Sequence, residues 1–391
     1  MKPSERSQVD PFIVMDVMEA AKAAEAKGHR VIHMEVGQPS TYAPIKARKA
    51  VKDLIDKSPM GYTVARGIPE LRQGISKLYL DWYGLEIDPD RIIVTSGSSA
   101  GFLLAFTALF DAGANVGVGS PGYPSYRQIL KALSLNPIGI PTSPQAGHQL
   151  RVEDVMPHRL DGLLVASPSN PTGTMLDYES LKSLAAFTKK SNISLISDEI
   201  YHGIEYEKKA VSVLELTDRA YVINSFSKFF SMTGWRIGWL IVPPDHVRTV
   251  ECLAQNMFIC PPHISQVAAL AALDSQEEMK NNIKTYANNR RLMLDGLLAA
   301  GFTKITPPDG AFYMYVDISE FGIDSREFSA LLLKKENVAI TPGLDFDLER
   351  GGQTVRMSYA QKTSDIVEGL RRLKSFMDSY LYKKISSENL N

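Results

Sequence analysis

The stretch NSFSKFFSMTGWRIGW (224–239) holds Lys228 among Ser225, Ser227 and, eight positions on, Arg236. Small hydroxyls and a guanidinium are natural partners of phosphate, whose oxygens reward charge-assisted bonds. An amine in that company, directly after the apolar run YVIN, is placed for chemistry, since a surface lysine needs no such neighbours. Three further fragments end in polar residues. TSGSSAGF (95–102) carries Ser98 and Ser99 where a strand gives way to a helix, whose first N–H groups form an anion site. SPSNPTG (167–173) fixes Asn170 in a polar turn, and ISLISDEIY (193–201) runs into Asp198, Glu199 and Tyr201. Taken singly, these read as a Ser-capped helix, a turn and a helix N-cap. His202 has no metal-type partner in sequence and reads as structural.

The elements that must position these residues alternate along the chain. RIIVTS (91–96), ANVGVGS, DGLLVAS (161–167), ISLIS (193–197), YVINSFS (221–227) and GWRIGWLIV (234–242) are short apolar strands. Between them AGFLLAFTALF, SYRQILKAL and DYESLKSLAAFTKKS are helical; the last sets Leu181, Leu184, Ala185 and Thr188 on one face. Strands this continuously apolar, separated by helices, predict a mostly parallel sheet covered on both faces. Ligands of such sheets sit beyond the carboxyl ends of the strands, where the polar residues fall. A long helix follows within 277–301. The later order of strand, helix, strands and helix (GAFYMYVDIS, REFSALLLKKENVAI, TVRMSYA, SDIVEGLRRLKSFMDSYL) predicts a smaller α+β domain.

At 391 residues the chain is long enough for two or three structural units. Lys+Arg (43) nearly balance Asp+Glu (44), which argues against a general polyanion binder. Cys252 and Cys260 lack metal-site or disulfide spacing, so no metal is expected. The charged start MKPSERSQVDPF is unlike a secretory signal, and no apolar run approaches a membrane span. A cytoplasmic protein acting on small molecules, without nucleic acid or membrane partners, is the expectation. GVGSPG (117–122) fits a dinucleotide fingerprint, but no acidic residue lies between Gly122 and Glu153 to hold a ribose.

Together the fragments supply a phosphate cradle, a buried acid, a phenol and an amine on neighbouring strand ends. Pyridoxal phosphate needs that set: an amine for its aldehyde, an acid for its ring nitrogen and anion partners for its phosphate.

SNPTG, DEIY, SFSK and GWRIGW, in that order and spacing, make the chain resemble the class I/II aminotransferases of the aspartate aminotransferase superfamily, fold type I. The resemblance runs from GQP (37–39) to RMSYA (356–360). It implies that Lys228 is the Schiff-base lysine and the proton carrier, and that Asp198 pairs with the ring nitrogen. Tyr201 and Asn170 would bond the phenolic oxygen, and Tyr123 would stack on the ring. Ser98, Ser99, Ser225, Ser227 and Arg236 would take the phosphate, with Tyr62 reaching the site of a neighbouring subunit in a homodimer with shared sites. Arg356 and the backbone of Gly37 would hold the substrate α-carboxylate. The resemblance also implies a large cofactor domain over 46–280 and a discontinuous small domain of 1–45 and 281–391.

The activity implied is transfer of an amino group from an L-amino acid to a 2-oxo acid by a ping-pong cycle. The alternative is a carbon–sulfur β-lyase on the same scaffold. A DNA-binding sensor would need an added helix-turn-helix unit that the 36 residues before Gly37 do not hold. Where many relatives have Asp-Phe after G-E/Q-P, this chain has Ser40 and Thr41, so substrate choice does not carry over. No second arginine for a dicarboxylate stands out. Phe12, Ile13 and NMFICPP (256–262) are candidates for a side-chain pocket, or plain core.

Overall fold

The computed structural model describes residues 1–388. Seven strands form the main sheet: β1 (Ile92–Thr95), β2 (Asn115–Ser120), β3 (Asn136–Pro141), β4 (Gly162–Ala166), β5 (Ser194–Asp198), β6 (Tyr221–Ser225) and β7 (Gly238–Ile241). Their order in space is β1-β7-β6-β5-β4-β2-β3. All neighbours run parallel except β7, which is antiparallel to β1 and β6. Thus the sheet is mostly parallel.

The helices used below are α1 (Ile13–Glu25), α2 (Pro69–Tyr83), α3 (Gly97–Leu109), α4 (Pro124–Ala132), α5 (Tyr178–Lys190) and α6 (Gln276–Ala299). Each strand sends alternate side chains to opposite faces. Ile93, Leu164, Ile196, Ile223 and Leu240 pack with Phe102, Phe106, Tyr126 and Leu130 from α3 and α4. Val94, Val165, Leu195, Val222 and Trp239 pack on the other face with Leu71, Ile75, Leu181 and Leu184 from α2 and α5. Helix α3 is apolar almost all round because it is buried, and a helix needs a polar stripe only where one face meets solvent. Helix α5 starts where Asp177 accepts from the Ser180 N–H at 2.8 Å, and Lys189 and Lys190 sit in its last turn.

One expected strand is shorter than its apolar run. GWRIGWLIV is a strand only from Gly238; Thr233–Trp235 form a 3₁₀ turn and Arg236 is left-handed at φ 50°. Gly117 and Gly119 lie inside β2. A Cβ on Gly117 would press on Leu160 and Ile140, so close packing accounts for that glycine.

A second sheet holds β8 (Ile305–Thr306), β9 (Tyr313–Asp317), β10 (Thr341–Pro342) and β11 (Thr354–Ser358), all antiparallel, in the order β10-β11-β9-β8. Ile32–His33 pairs in parallel with Val338–Ala339, joining the N-terminal segment to the C-terminal part of the chain.

Candidate active site

Four strand ends lie side by side. Thr95 of β1 and Ser225 of β6 both pair with Gly238 of β7. Ala166 of β4 pairs with Asp198 of β5, and Asp198 with Ile223 of β6. The loops carrying Ser98, Asn170, Tyr201 and Lys228 therefore leave one edge of the sheet.

Lys228 Nζ donates to the Gly37 carbonyl at 2.7 Å and lies 5.8 Å from the centre of the Tyr201 ring. Burial, then the charges of Arg356 and Arg236, push its amine down to about 8, with Asp198 opposing. Asp198, 5% exposed, accepts from the Tyr126 hydroxyl on Oδ2 and from the Ile200 N–H at 3.1 Å on Oδ1. Burial raises its carboxyl to about 6, against these two bonds and Lys228. A buried carboxylate with an unbonded face favours a cationic partner. Neighbouring Glu199 points elsewhere: it accepts from Ser197, Ser212 and the Val213 N–H. His202 is bonded to Tyr83 and the Ser167 carbonyl, a structural role.

Ser98 and Ser99 occupy the first turn of α3, and Ser96 at its N-cap makes no side-chain capping bond. The Arg236 guanidinium packs directly on Gly97, which sits at φ 76°; a Cβ there would overlap it. Arg236 also donates to the Thr233 carbonyl at 2.9 Å. Ser225 Oγ accepts from the Ser227 N–H at 2.9 Å, turning that loop toward the same place. Bare helix N–H groups, a guanidinium and hydroxyls make an anion cradle.

Arg356, on β11, is 2% exposed. Its guanidinium donates to Asn170 Oδ1 at 2.9 Å and to the Glu35 carbonyl. It is sandwiched between Tyr313 and Phe346, 4.5 and 4.7 Å from their ring centres. Its Nε is buried without an acceptor. Asn170 spends its oxygen on Arg356, which leaves its amide N–H groups as donors. Gly37 is tight for a separate reason: a Cβ would overlap the Tyr313 hydroxyl.

Tyr126 and Tyr313 are the residues that sequence reasoning missed. Tyr126 bonds Asp198, and the Tyr313 hydroxyl meets that of Tyr201 at 2.6 Å while its ring supports Arg356. The one signal was spacing, Tyr126 lying three residues after Tyr123 at the start of the same helix. Tyr123 is edge-on to Tyr126, with ring centres 5.3 Å apart. Tyr62 alone stands apart, 84% exposed.

The set fits pyridoxal phosphate on two counts, a cradle in which Arg236 fills the space a Cβ on Gly97 would take and a buried acid, Asp198, whose charge acts on the Lys228 amine, while the Arg356 Nε without an acceptor suits a substrate carboxylate. Among the described residues no group of His, Cys, Asp or Glu could hold a metal ion, and no helix is long and apolar enough to cross a membrane.

Residues 29–373 match the family described as aminotransferase class I and II. The chain is 45% identical to a valine–pyruvate aminotransferase of Mycobacterium tuberculosis, covering 96% of this chain and 98% of that one. It is 37% identical to a (5-formylfuran-3-yl)methyl phosphate transaminase of Methanocaldococcus jannaschii, covering 94% and 97%. Among solved structures, a candidate aminotransferase from Silicibacter pomeroyi shares 59% identity at a TM-score of 0.93, over 97% of this chain and 100% of that one. These names favour group transfer over the lyase alternative. The chain belongs to the class I and II aminotransferases, pyridoxal-phosphate enzymes of fold type I that move amino groups between amino acids and 2-oxo acids.

Proposed function

We propose that the donor is an L-amino acid with an uncharged side chain and that pyruvate is an acceptor. One observation carries this reading: Arg356 is held by Asn170, the Glu35 carbonyl, Tyr313 and Phe346, and Arg236 lies against Gly97 at the start of α3, so each already has work in the site. Among the described residues neither arginine is left over for a second substrate carboxylate, whose burial unpaired would be costly. The 45% identity to a valine–pyruvate aminotransferase supports the same choice.

In this reading pyridoxal phosphate supplies an aldehyde that bonds amines and a ring that withdraws electrons from the adjoining carbon. Lys228 is the amine that would hold the aldehyde, and its free form would take and return a proton at the substrate Cα. Its lowered basicity keeps a share of the amine neutral near pH 8. Asp198 would hold a proton on the ring nitrogen, and the bond from Tyr126 favours the ionised form of Asp198. Tyr201 and the Asn170 amide would donate to the phenolic oxygen, and Tyr123 would pack on the ring. Ser98, Ser99, Ser225, Ser227 and Arg236 bind the phosphate. Arg356 and Gly37 bind the α-carboxylate.

The same reading includes a homodimer in which Tyr62 reaches the partner's site. Tyr42, Met60, Tyr62, Val64 and Ile259 are all exposed apolar or aromatic side chains in need of cover. It divides the chain into a large domain (46–280) and a small one (1–45 and 281–391), supported by the pairing of Ile32–His33 with Val338–Ala339. The free thiols Cys252 and Cys260 suit a reducing cytoplasm.

A screen of donors against pyruvate and 2-oxoglutarate tests it. Valine, alanine or leucine should convert the cofactor to its amine form and yield the oxo acid. Turnover of aspartate alone would contradict the donor class, and ammonia released with no acceptor would indicate lyase chemistry.

A further inference from the structure

Asp345 is buried, and its two carboxylate oxygens accept from the start of α1: Oδ1 from the Ile13 N–H at 3.1 Å, Oδ2 from the Val14 N–H at 3.2 Å. Phe12, at the N-cap of α1, makes no side-chain capping bond. A helix start leaves such N–H groups unpaired and carries partial positive charge. Asp345 therefore caps a helix that lies 331 residues away in sequence.

The turn Gly343–Asp345 is also held from the opposite side. Arg127 of α4 donates to the carbonyls of Asp345 at 3.0 Å and Phe346 at 3.1 Å, and the Gly122 N–H donates to the latter at 3.0 Å. Phe346 carries the Arg356 guanidinium on its ring. At the far end of the N-terminal segment, Asp10 is bonded to Gln128 and Lys131 of α4. Between the two anchors Phe12 sets its ring edge-on to Tyr123, with centres 5.9 Å apart. Residues 10–14 thus form a strap from α4 to the turn that supports Arg356.

We propose that Asp345 is a positioning residue for substrate carboxylate binding: by capping α1 it ties the seating of residues 10–14 to the placement of Phe346, and so of Arg356. Asp345 touches neither reacting atom; it acts through Arg356. The inference rests on the reading of Arg356 as the α-carboxylate site.

The test uses the holoenzyme and 3-methylbutanoate, a carboxylate of the proposed donor shape that lacks the reacting amine. Binding is measured by calorimetry and amide exchange at residues 12–16 by mass spectrometry. In the wild type, binding should slow exchange at 12–16. In Asp345→Asn, 3-methylbutanoate affinity should fall about tenfold, the scale of a lost helix cap, and the ligand-dependent protection should vanish. Donor KM should rise in parallel, with kcat changed by no more than about threefold, as expected when uniform binding is lost. Ile13→Pro removes one of the two donors at a position where proline suits a helix start. It should shift KM in the same direction by less, and it decides the matter if Asp345→Asn does not fold. Unchanged affinity and KM in the folded variants, or a loss confined to kcat or thermal stability, would overturn the proposal. Arg356→Lys separates the two readings. If it binds 3-methylbutanoate as the wild type does, the carboxylate site lies elsewhere; if it alone weakens binding, only the role of Asp345 fails.

Discussion

The Tyr126 hydroxyl donates to Asp198 Oδ2, linking the first turn of α4 to the end of β5. The bond stabilises the ionised acid in a place where burial favours the neutral one. Asp198→Ala should therefore lower kcat by about two orders of magnitude or more, the scale of a lost preorganised electrostatic partner, with cofactor still bound. Tyr126→Phe leaves the acid but removes its donor, and should cost about tenfold, since bonds to charged groups contribute about 1.5–3 kcal/mol. Turnover at saturating donor, with cofactor occupancy read from absorbance, measures both. Near-normal kcat in Asp198→Ala would contradict the assignment.

Lys228 reacts as the free amine. Because burial, Arg356 and Arg236 hold it at about 8, cofactor attachment to the stripped protein should speed up as pH rises and level off above about 8. Stopped-flow absorbance follows this directly. An attachment rate still climbing at about pH 10, where an ordinary lysine titrates, would place Lys228 in a different setting.

Ser225, Ser227 and Lys228, with Asp198 and Asn170, were legible because each follows or ends an apolar run, and a mostly parallel sheet gathers such ends on one edge; Arg236 was legible by its place eight residues after Lys228. The direction of β7 was not legible from its residues. Asn224 and Trp239 pair across a chain segment whose only ordered element is a 3₁₀ turn, too short for the crossover a parallel return requires. Tyr126 and Tyr313 were hidden for another reason. An aromatic at helical or strand spacing reads as core, and both are indeed buried; only the structure shows where their hydroxyls point. The supports of Arg356 come from positions 35, 170, 313, 341 and 346, and no local pattern joins residues so far apart.

Gly97 tests the anion cradle. A Cβ there would overlap the Arg236 guanidinium, and the left-handed backbone at φ 76° already disfavours a side chain. Gly97→Ala should weaken cofactor affinity by about tenfold or more, the loss of one charge-assisted contact. Equilibrium dialysis of pyridoxal phosphate against the stripped variant measures it. Wild-type affinity would mean that Arg236 does not serve the phosphate from its present position.

Glu199 offers a check on the buried acids. Burial raises its carboxyl to about 7, against bonds from Val213, Ser212 and Ser197. The unfolded chain releases this proton near about pH 4.3 and the folded chain near 7, so folding stability contributed here falls as pH climbs between those values. Glu199→Gln removes that titration. Its stability relative to the wild type, from denaturant midpoints of the stripped proteins, should improve steadily from about pH 4 to 7; a difference independent of pH would show that Glu199 titrates as an exposed acid does.

The central claim is that one amine, Lys228, holds the cofactor covalently. Borohydride reduction of the purified holoenzyme, followed by peptide mass spectrometry, tests it most directly. The pyridoxyl group should appear on the peptide containing Lys228 and on no other. Modification of a different lysine, or an unmodified Lys228 in protein that carries stoichiometric cofactor, would contradict it.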